Sequence, residues 1–109
     1  MADSDFMKVA ETGDISVGEM RPVKWGDQEL LLANVEGKFY AISNSCTHRE
    51  GVLTDGELSG EQVQCPLHGA AFNVITGEVL NPPARRQIRA HEVRISGNDI
   101  LIGPGIQNP

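Results

Sequence analysis

Two short runs of this 109-residue chain pair a cysteine with a histidine: Cys46-Thr47-His48 and, after the sixteen residues 49–64, Cys65-Pro66-Leu67-His68. The chain has two cysteines and three histidines, so finding a histidine two or three positions after each cysteine is poorly explained by two inert buried thiols. Two thiolates and two neutral imidazoles form a four-donor set that suits either zinc or an iron–sulfur cluster. Structural zinc sites commonly pair Cys with Cys and His with His, whereas each run here offers one of each. That division favours a binuclear centre clamped from two sides, with Cys46 and Cys65 on one iron and His48 and His68 on the other. Structural zinc stands as the competing reading.

Rigid elements have to carry those runs. Apolar or alternating stretches recur as strands at Phe6–Ala10, Met20–Trp25, Glu29–Val35, Lys38–Ser43, Gln62–Cys65, Ala71–Ile75, Ile88–Ile95 and Asp99–Ile102. Glycine-bearing turns separate several of them: Trp25-Gly26-Asp27-Gln28, Glu36-Gly37-Lys38, Thr76-Gly77-Glu78 and Ser96-Gly97-Asn98-Asp99. The expected fold is all-β, an antiparallel sandwich or small barrel. Any helix is short, with Asp14–Met20 and the segment after Cys46 as candidates. The ends, Met1–Asp5 and Gly103–Pro109, read as loose, and the length fits one domain over 1–109 with its chemistry within about 44–84. Both Cys/His runs interrupt the strand rhythm, as functional loops on a rigid scaffold do.

At this point the residues resemble the Rieske family, whose ligand pattern is Cys-x-His, sixteen or seventeen residues, then Cys-x-x-His. The likeness extends over about Phe39 to Pro83. Cys46-Thr47-His48 and Cys65-Pro66-Leu67-His68-Gly69 resemble the two cluster-binding loops. Leu58-Ser59-Gly60, Gln62–Cys65, Phe72-Asn73-Val74 and Thr76-Gly77-Glu78 resemble the connecting β elements, and Asn81-Pro82-Pro83-Ala84 the proline loop over a third side of the cluster. The family implies one Rieske-type 2Fe-2S cluster on Cys46, His48, Cys65 and His68. Its members in cytochrome bc complexes carry a further cysteine in each loop, where this chain has Gly51 and Leu67, and a Ser and a Tyr that hydrogen-bond the sulfurs, where this chain has Ala70 and Phe72. With fewer donors to the reduced cluster, the potential should lie low in the Rieske window of about −150 to +300 mV. Two ferric ions, two sulfides and two thiolates sum to zero charge, so the cluster accepts an electron more readily than a four-cysteine one. The electron should settle on the histidine-bound iron, which makes His48 and His68 its exit.

The remaining residues read more plainly. His91 lies in a strand far from either cysteine and reads as a solvent-facing or satisfied histidine, not a ligand. Arg85, Arg86, Arg89 and Arg94 read as a solvated basic face, with a docking patch as the second reading; Arg49 and Glu50 rim the first loop. Trp25 reads as packing. Gly51, Gly56, Gly60 and Gly69 serve backbone geometry, and the Gly69 and Leu67 amides are candidate donors to cluster sulfur.

Net charge is −6, which disfavours nucleic acid and anionic lipid as partners. No run approaches the roughly 20 apolar residues of a membrane span, and Met-Ala-Asp-Ser-Asp is not a signal peptide, so the cytoplasm is expected. No dinucleotide fingerprint, flavin-binding half or mononuclear iron triad follows the candidate cluster. The expected role is therefore a monomeric, soluble one-electron carrier and not an enzyme. The resemblance is greatest to ferredoxin components of aromatic-ring-hydroxylating dioxygenases. It implies a flavin-dependent NAD(P)H ferredoxin reductase upstream and a terminal oxygenase with its own Rieske centre and non-haem iron downstream. The small subunit of assimilatory nitrite reductase is the second reading, and a non-redox zinc-binding interaction module the third.

Overall fold

The computed structural model describes residues 6–44, 52–65, 71–81 and 88–106, and these form ten strands. In chain order they are β1 (Met7–Glu11), β2 (Met20–Trp25), β3 (Gln28–Val35), β4 (Lys38–Ser43), β5 (Glu57–Ser59), β6 (Gln62–Gln64), β7 (Ala71–Asn73), β8 (Val79–Asn81), β9 (Ala90–Ser96) and β10 (Asp99–Ile106). They build a six-stranded sheet, β1-β10-β9-β4-β3-β2, and a four-stranded sheet, β5-β6-β7-β8, with every described pairing antiparallel. The all-β expectation holds.

Turn chemistry sets the register. Val35 pairs with Lys38, leaving Glu36 and Gly37 as a two-residue turn whose φ values are both positive, 54° and 91°. Such a turn twists in the sense of the flanking strands, and glycine in one position spares half the steric cost.

β3 organises the interior. From Leu30 to Val35 every residue is buried, so the strand is covered on both faces. Leu31, Ala33 and Val35 join Ile42, Leu53, Val63, Cys65, Phe72, Val74, Ile88 and Ala90 in one core between the sheets. Leu30 and Leu32 point the other way and join Ala41, Ile15, Ile100 and Ile102. The period of two in side-chain direction thus feeds two cores from one strand. The large sheet curls around the second core: Trp25 Nε1 on the edge strand β2 donates to Ile102 O on β10, next to the opposite edge, at 2.8 Å, which makes a nearly closed barrel.

Three expectations need correction. Asp14–Met20 is not a helix; a single 3-10 turn occupies Thr12–Asp14. The backbone that follows makes one turn, Glu19 N donating to Ser16 O (3.0 Å), and bonds to β3, with Gly18 N donating to Asn34 O (2.8 Å) and Asn34 N to Glu19 O (2.9 Å). This seats Ile15 in the second core, held by Asn34 Nδ2 donating to its carbonyl at 2.8 Å. Second, the Gly103 end is not loose up to Ile106, because β10 continues past a register shift between Ile102 and Gly105 and pairs Gly105 with His91. That irregularity accommodates Pro104, which cannot donate to a ladder. Third, the strand beginning at Ala71 stops at Asn73, and the short β8 follows it. Among the described residues, no helix is long and apolar enough to cross a membrane.

Candidate metal centre

Three chain segments, 45–51, 66–70 and 82–87, lie outside the described residues, and they contain Cys46, His48 and His68. Cys65 is the one predicted ligand within the described set. Arg49, Glu50, Gly51, Leu67, Gly69, Ala70, Pro82, Pro83, Ala84, Arg85 and Arg86 also fall outside it.

The strand registers fix where these segments begin and end. Gln64 pairs with Ala71, and Ala71 pairs in turn with Asn81, so the ends of β6 and β8 and the start of β7 lie side by side. In the other sheet Ile42 pairs with Ala90, and Ser43 N donates to Arg89 O at 3.0 Å, which sets the end of β4 beside the start of β9. The core between the sheets spans both groups: Leu53, Cys65, Ile88 and Ala90, which flank the three segments, pack in that one cluster. Cys65 follows β6 directly and is 1% exposed. Its thiol thus has a fixed place in the core, at the point where the second Cys/His run leaves the small sheet.

Phe72, one of the two positions where a sulfur-bonding hydroxyl was expected to be missing, is fully buried in the same core as Cys65. An apolar ring there supplies no donor.

Several residues that hold the segment ends were not singled out from sequence as functional. Asn44 is 2% exposed and precedes the first segment; its side chain reaches Glu29 on β3 and Thr54 beyond the segment. Asn73 Oδ1 accepts from Ile75 N (2.7 Å) and Thr76 N (3.1 Å), which shapes the turn between β7 and β8. Gly77, at φ 80°, lies against the chain leaving the third segment, where Ile88 N donates to Gly77 O at 2.8 Å; a Cβ on Gly77 would collide with the Ile88 carbonyl. The signal for these was the side-chain-to-backbone bonding habit of Asn and the conformational freedom of Gly, which the sequence displays without naming a partner.

His91 is not part of this centre. It is 4% exposed, faces the second core, and meets Trp25 edge-on with ring centroids 5.1 Å apart. Its Nδ1 lies 2.9 Å from Gly103 O, and since a carbonyl only accepts, Nδ1 carries the proton. Nε2 is buried with no hydrogen-bond partner, so the ring is half satisfied. Burial of the ring lowers its pKa below the ordinary value, and the Arg89 charge lowers it further. Arg94 is exposed, as a solvated face requires, with its guanidinium 4.1 Å from the Phe6 ring centroid.

Comparison with known proteins adds an independent line. Residues 5–94 match the model of the Rieske [2Fe-2S] domain. The ferredoxin component of biphenyl 2,3-dioxygenase from Rhodococcus jostii (strain RHA1) is 36% identical over 95 residues, 87% of this chain and 89% of that protein. The ferredoxin component of the naphthalene 1,2-dioxygenase/salicylate 5-hydroxylase systems of a Ralstonia species is 37% identical over 98 residues, 90% of this chain and 94% of its own. Among solved structures, one of a complex of reduced oxygenase and oxidized ferredoxin in carbazole 1,9a-dioxygenase superposes with a TM-score of 0.87 at 31% identity, covering 93% of this chain and 94% of that one.

Proposed function

Because the chain belongs to the Rieske [2Fe-2S] domain family, we propose that Cys46, His48, Cys65 and His68 hold its cluster and that it delivers single electrons to a terminal ring-hydroxylating oxygenase. The chain is a ferredoxin-type electron-transfer component with one Rieske 2Fe-2S cluster, and its relatives are such components of dioxygenase systems. One observation supports the ligand assignment above the others. Cys65 is seated in a core whose other members flank both remaining segments of the resemblance, so its thiol lies in the one cluster that the ends of all three segments share. Two thiols and two imidazoles also match the donor chemistry of such a cluster.

When bound, the cluster supplies a site that takes up and releases one electron with little change in shape. The protein's residues do the rest. Cys46 and Cys65 would hold the cluster as thiolates and His48 and His68 as neutral imidazoles, and the imidazole-bound iron would be the one that takes up the electron. The core around Cys65, with Leu53, Val63 and Phe72, excludes water from the thiolate side. Electrons enter from a flavin-dependent NAD(P)H reductase and leave to an oxygenase that has its own Rieske centre and non-haem iron. The carrier works as a cytoplasmic monomer, since a shuttle has to leave one partner to meet the next.

The test is direct. The purified protein should be brown, contain iron and not zinc, and show on reduction an EPR signal of low average g. It should be reduced by NAD(P)H only when a ferredoxin reductase is present, and reoxidised by a ring-hydroxylating oxygenase with substrate. Zinc without iron would refute the cluster assignment, and stable co-purification with a sirohaem enzyme would refute the oxygenase assignment.

A further inference from the structure

The first Cys/His segment differs from the other two in how its ends are tied. Segment 66–70 joins β6 to β7, which pair with each other, so a backbone ladder closes it. Segment 82–87 leaves β8 at Asn81, itself paired to Ala71, and returns where Ile88 N bonds Gly77 O and Arg89 O accepts from Ser43 N. Segment 45–51 leaves β4 in the large sheet and leads to β5 in the small one. Those two strands share no ladder. Among the described residues, one long backbone bond joins its ends, Leu53 N to Asn44 O at 3.4 Å.

A side chain supplies the rest. Asn44 Nδ2 donates to Thr54 Oγ1 (3.1 Å) and to Glu29 Oε1 (3.2 Å), while Asn44 Oδ1 accepts from Thr54 N (3.0 Å). Its own N–H donates to Glu29 O at 3.2 Å. One buried amide therefore joins the exit of the segment, its return, and the neighbouring strand of the large sheet.

We propose that Asn44 is the positioning residue of the Cys46-Thr47-His48 segment, acting through Glu29 and Thr54, and that this clamp tunes the cluster's electronic state as well as its retention. The inference rests on the cluster reading above. Cys46 is two residues beyond the clamp and His48 four, so a shift at Asn44 reaches one thiolate and one imidazole together. The approach of each donor to its iron sets how much electron density the metal receives, which spectra and potential report.

The geometry also dictates a rescue. Asn44→Asp keeps an acceptor for Thr54 N but removes both donors and turns a second carboxylate toward Glu29. Adding Glu29→Gln restores a donor–acceptor pair at the same position, and Glu29→Gln alone leaves an amide oxygen for Asn44 Nδ2. With iron-loaded protein, N44D should lose iron to a chelator at least about tenfold faster than wild type, and the N44D/E29Q pair should return to within about twofold. In N44A and N44D the g values of the reduced, loaded protein and the pH profile of its midpoint potential should shift, and N44D/E29Q should recover both. If N44A and N44D do not accumulate in loaded form, Thr54→Val, which removes only the Oγ1 acceptor, should give a smaller shift of the same g values. Faster iron loss with wild-type g values and pH profile makes Asn44 merely structural and overturns the proposal. So does an N44D/E29Q pair that behaves like N44D. A wild-type protein lacking the low-g signal overturns the cluster reading instead, which keeps the two failures distinct.

Discussion

Phe72 and His91 are two buried aromatic side chains whose polar chemistry differs, and each leads to a measurable effect. Phe72 packs in the core that holds Cys65 and has nothing to donate. Phe72→Tyr places a hydroxyl in the core that holds Cys65, and Ala70→Ser adds one in the second Cys/His run; a donor to sulfur stabilises the form with the extra electron. If each bond favours the reduced form by about 1 kcal/mol, the midpoint potential should rise by roughly 40 mV per substitution. Protein-film voltammetry reads this directly, and an unchanged potential would show that the missing hydroxyls do not set its poise. His91 acts on stability. Its folded pKa is lowered, chiefly by burial, because protonating Nε2 would place an unpartnered N–H in the core. The unfolded chain takes up that proton near the ordinary value of about 6.5 and the folded one only at lower pH. Stability from this residue is therefore present above about 6.5 and declines as pH falls toward the lowered folded value. Urea unfolding of wild type and His91→Gln between pH 8 and 5 should show a steeper acid loss in wild type. Parallel profiles would remove His91 from the account.

At the scale of elements, glycines in one backbone region separate by what surrounds them. Gly60 and Gly77 both have positive φ, 62° and 80°, but a Cβ at Gly60 meets open space while one at Gly77 runs into the Ile88 carbonyl. Gly60→Ala should therefore cost only the conformational penalty, about 1 kcal/mol. Gly77→Ala should cost clearly more, about 3 kcal/mol, because the Ile88–Gly77 contact at the return of segment 82–87 must also give way. Thermal unfolding of the two loaded variants orders them, and equal losses would mean that the turn moves freely. The same contrast explains what was legible beforehand. β2 and β4 were readable to their boundaries and β3 to within one residue, because alternating or apolar runs end in glycine turns that dictate hairpin register. The Cys/His pattern of Cys46, His48, Cys65 and His68 stands out by residue type and spacing, which offer a four-donor set but suit zinc as well as an iron–sulfur cluster. β8 was hidden because three residues carry no period, and the continuation of β10 because Gly103-Pro104-Gly105 reads as an end unless its partner strand is known. The glycine turn at Gly77 was readable, but what it and Asn44 hold was hidden for the same reason: their partners, Ile88 and Glu29 with Thr54, are distant in sequence and meet them only in the folded chain.

The whole molecule is two cores sharing one wall. β3 and β4 form that wall, sending Leu31, Ala33, Val35 and Ile42 toward the core that holds Cys65, and Leu30, Leu32 and Ala41 toward the barrel core with Ile100 and Ile102. The small sheet, with strands of only three residues, has little ladder of its own and leans on the first core. The barrel has six strands of five to eight residues and the Trp25–Ile102 hydrogen bond across its opening. Metal binding contributes its free energy where the ligands are, and on this division it should support the small sheet far more than the barrel. Removing iron by acid and chelation, or assembling Cys65→Ser, should therefore raise amide hydrogen exchange at least about tenfold in Gln62–Gln64 and Ala71–Asn73. Exchange in Met20–Trp25 and residues 99–102 should change by less than about twofold. A uniform loss of protection across both sheets would mean that the wall transmits cluster loss to the barrel and that the two cores unfold as one cooperative unit. Protection that survives everywhere would mean that the apo small sheet is held by its core alone, with the cluster added to a finished fold.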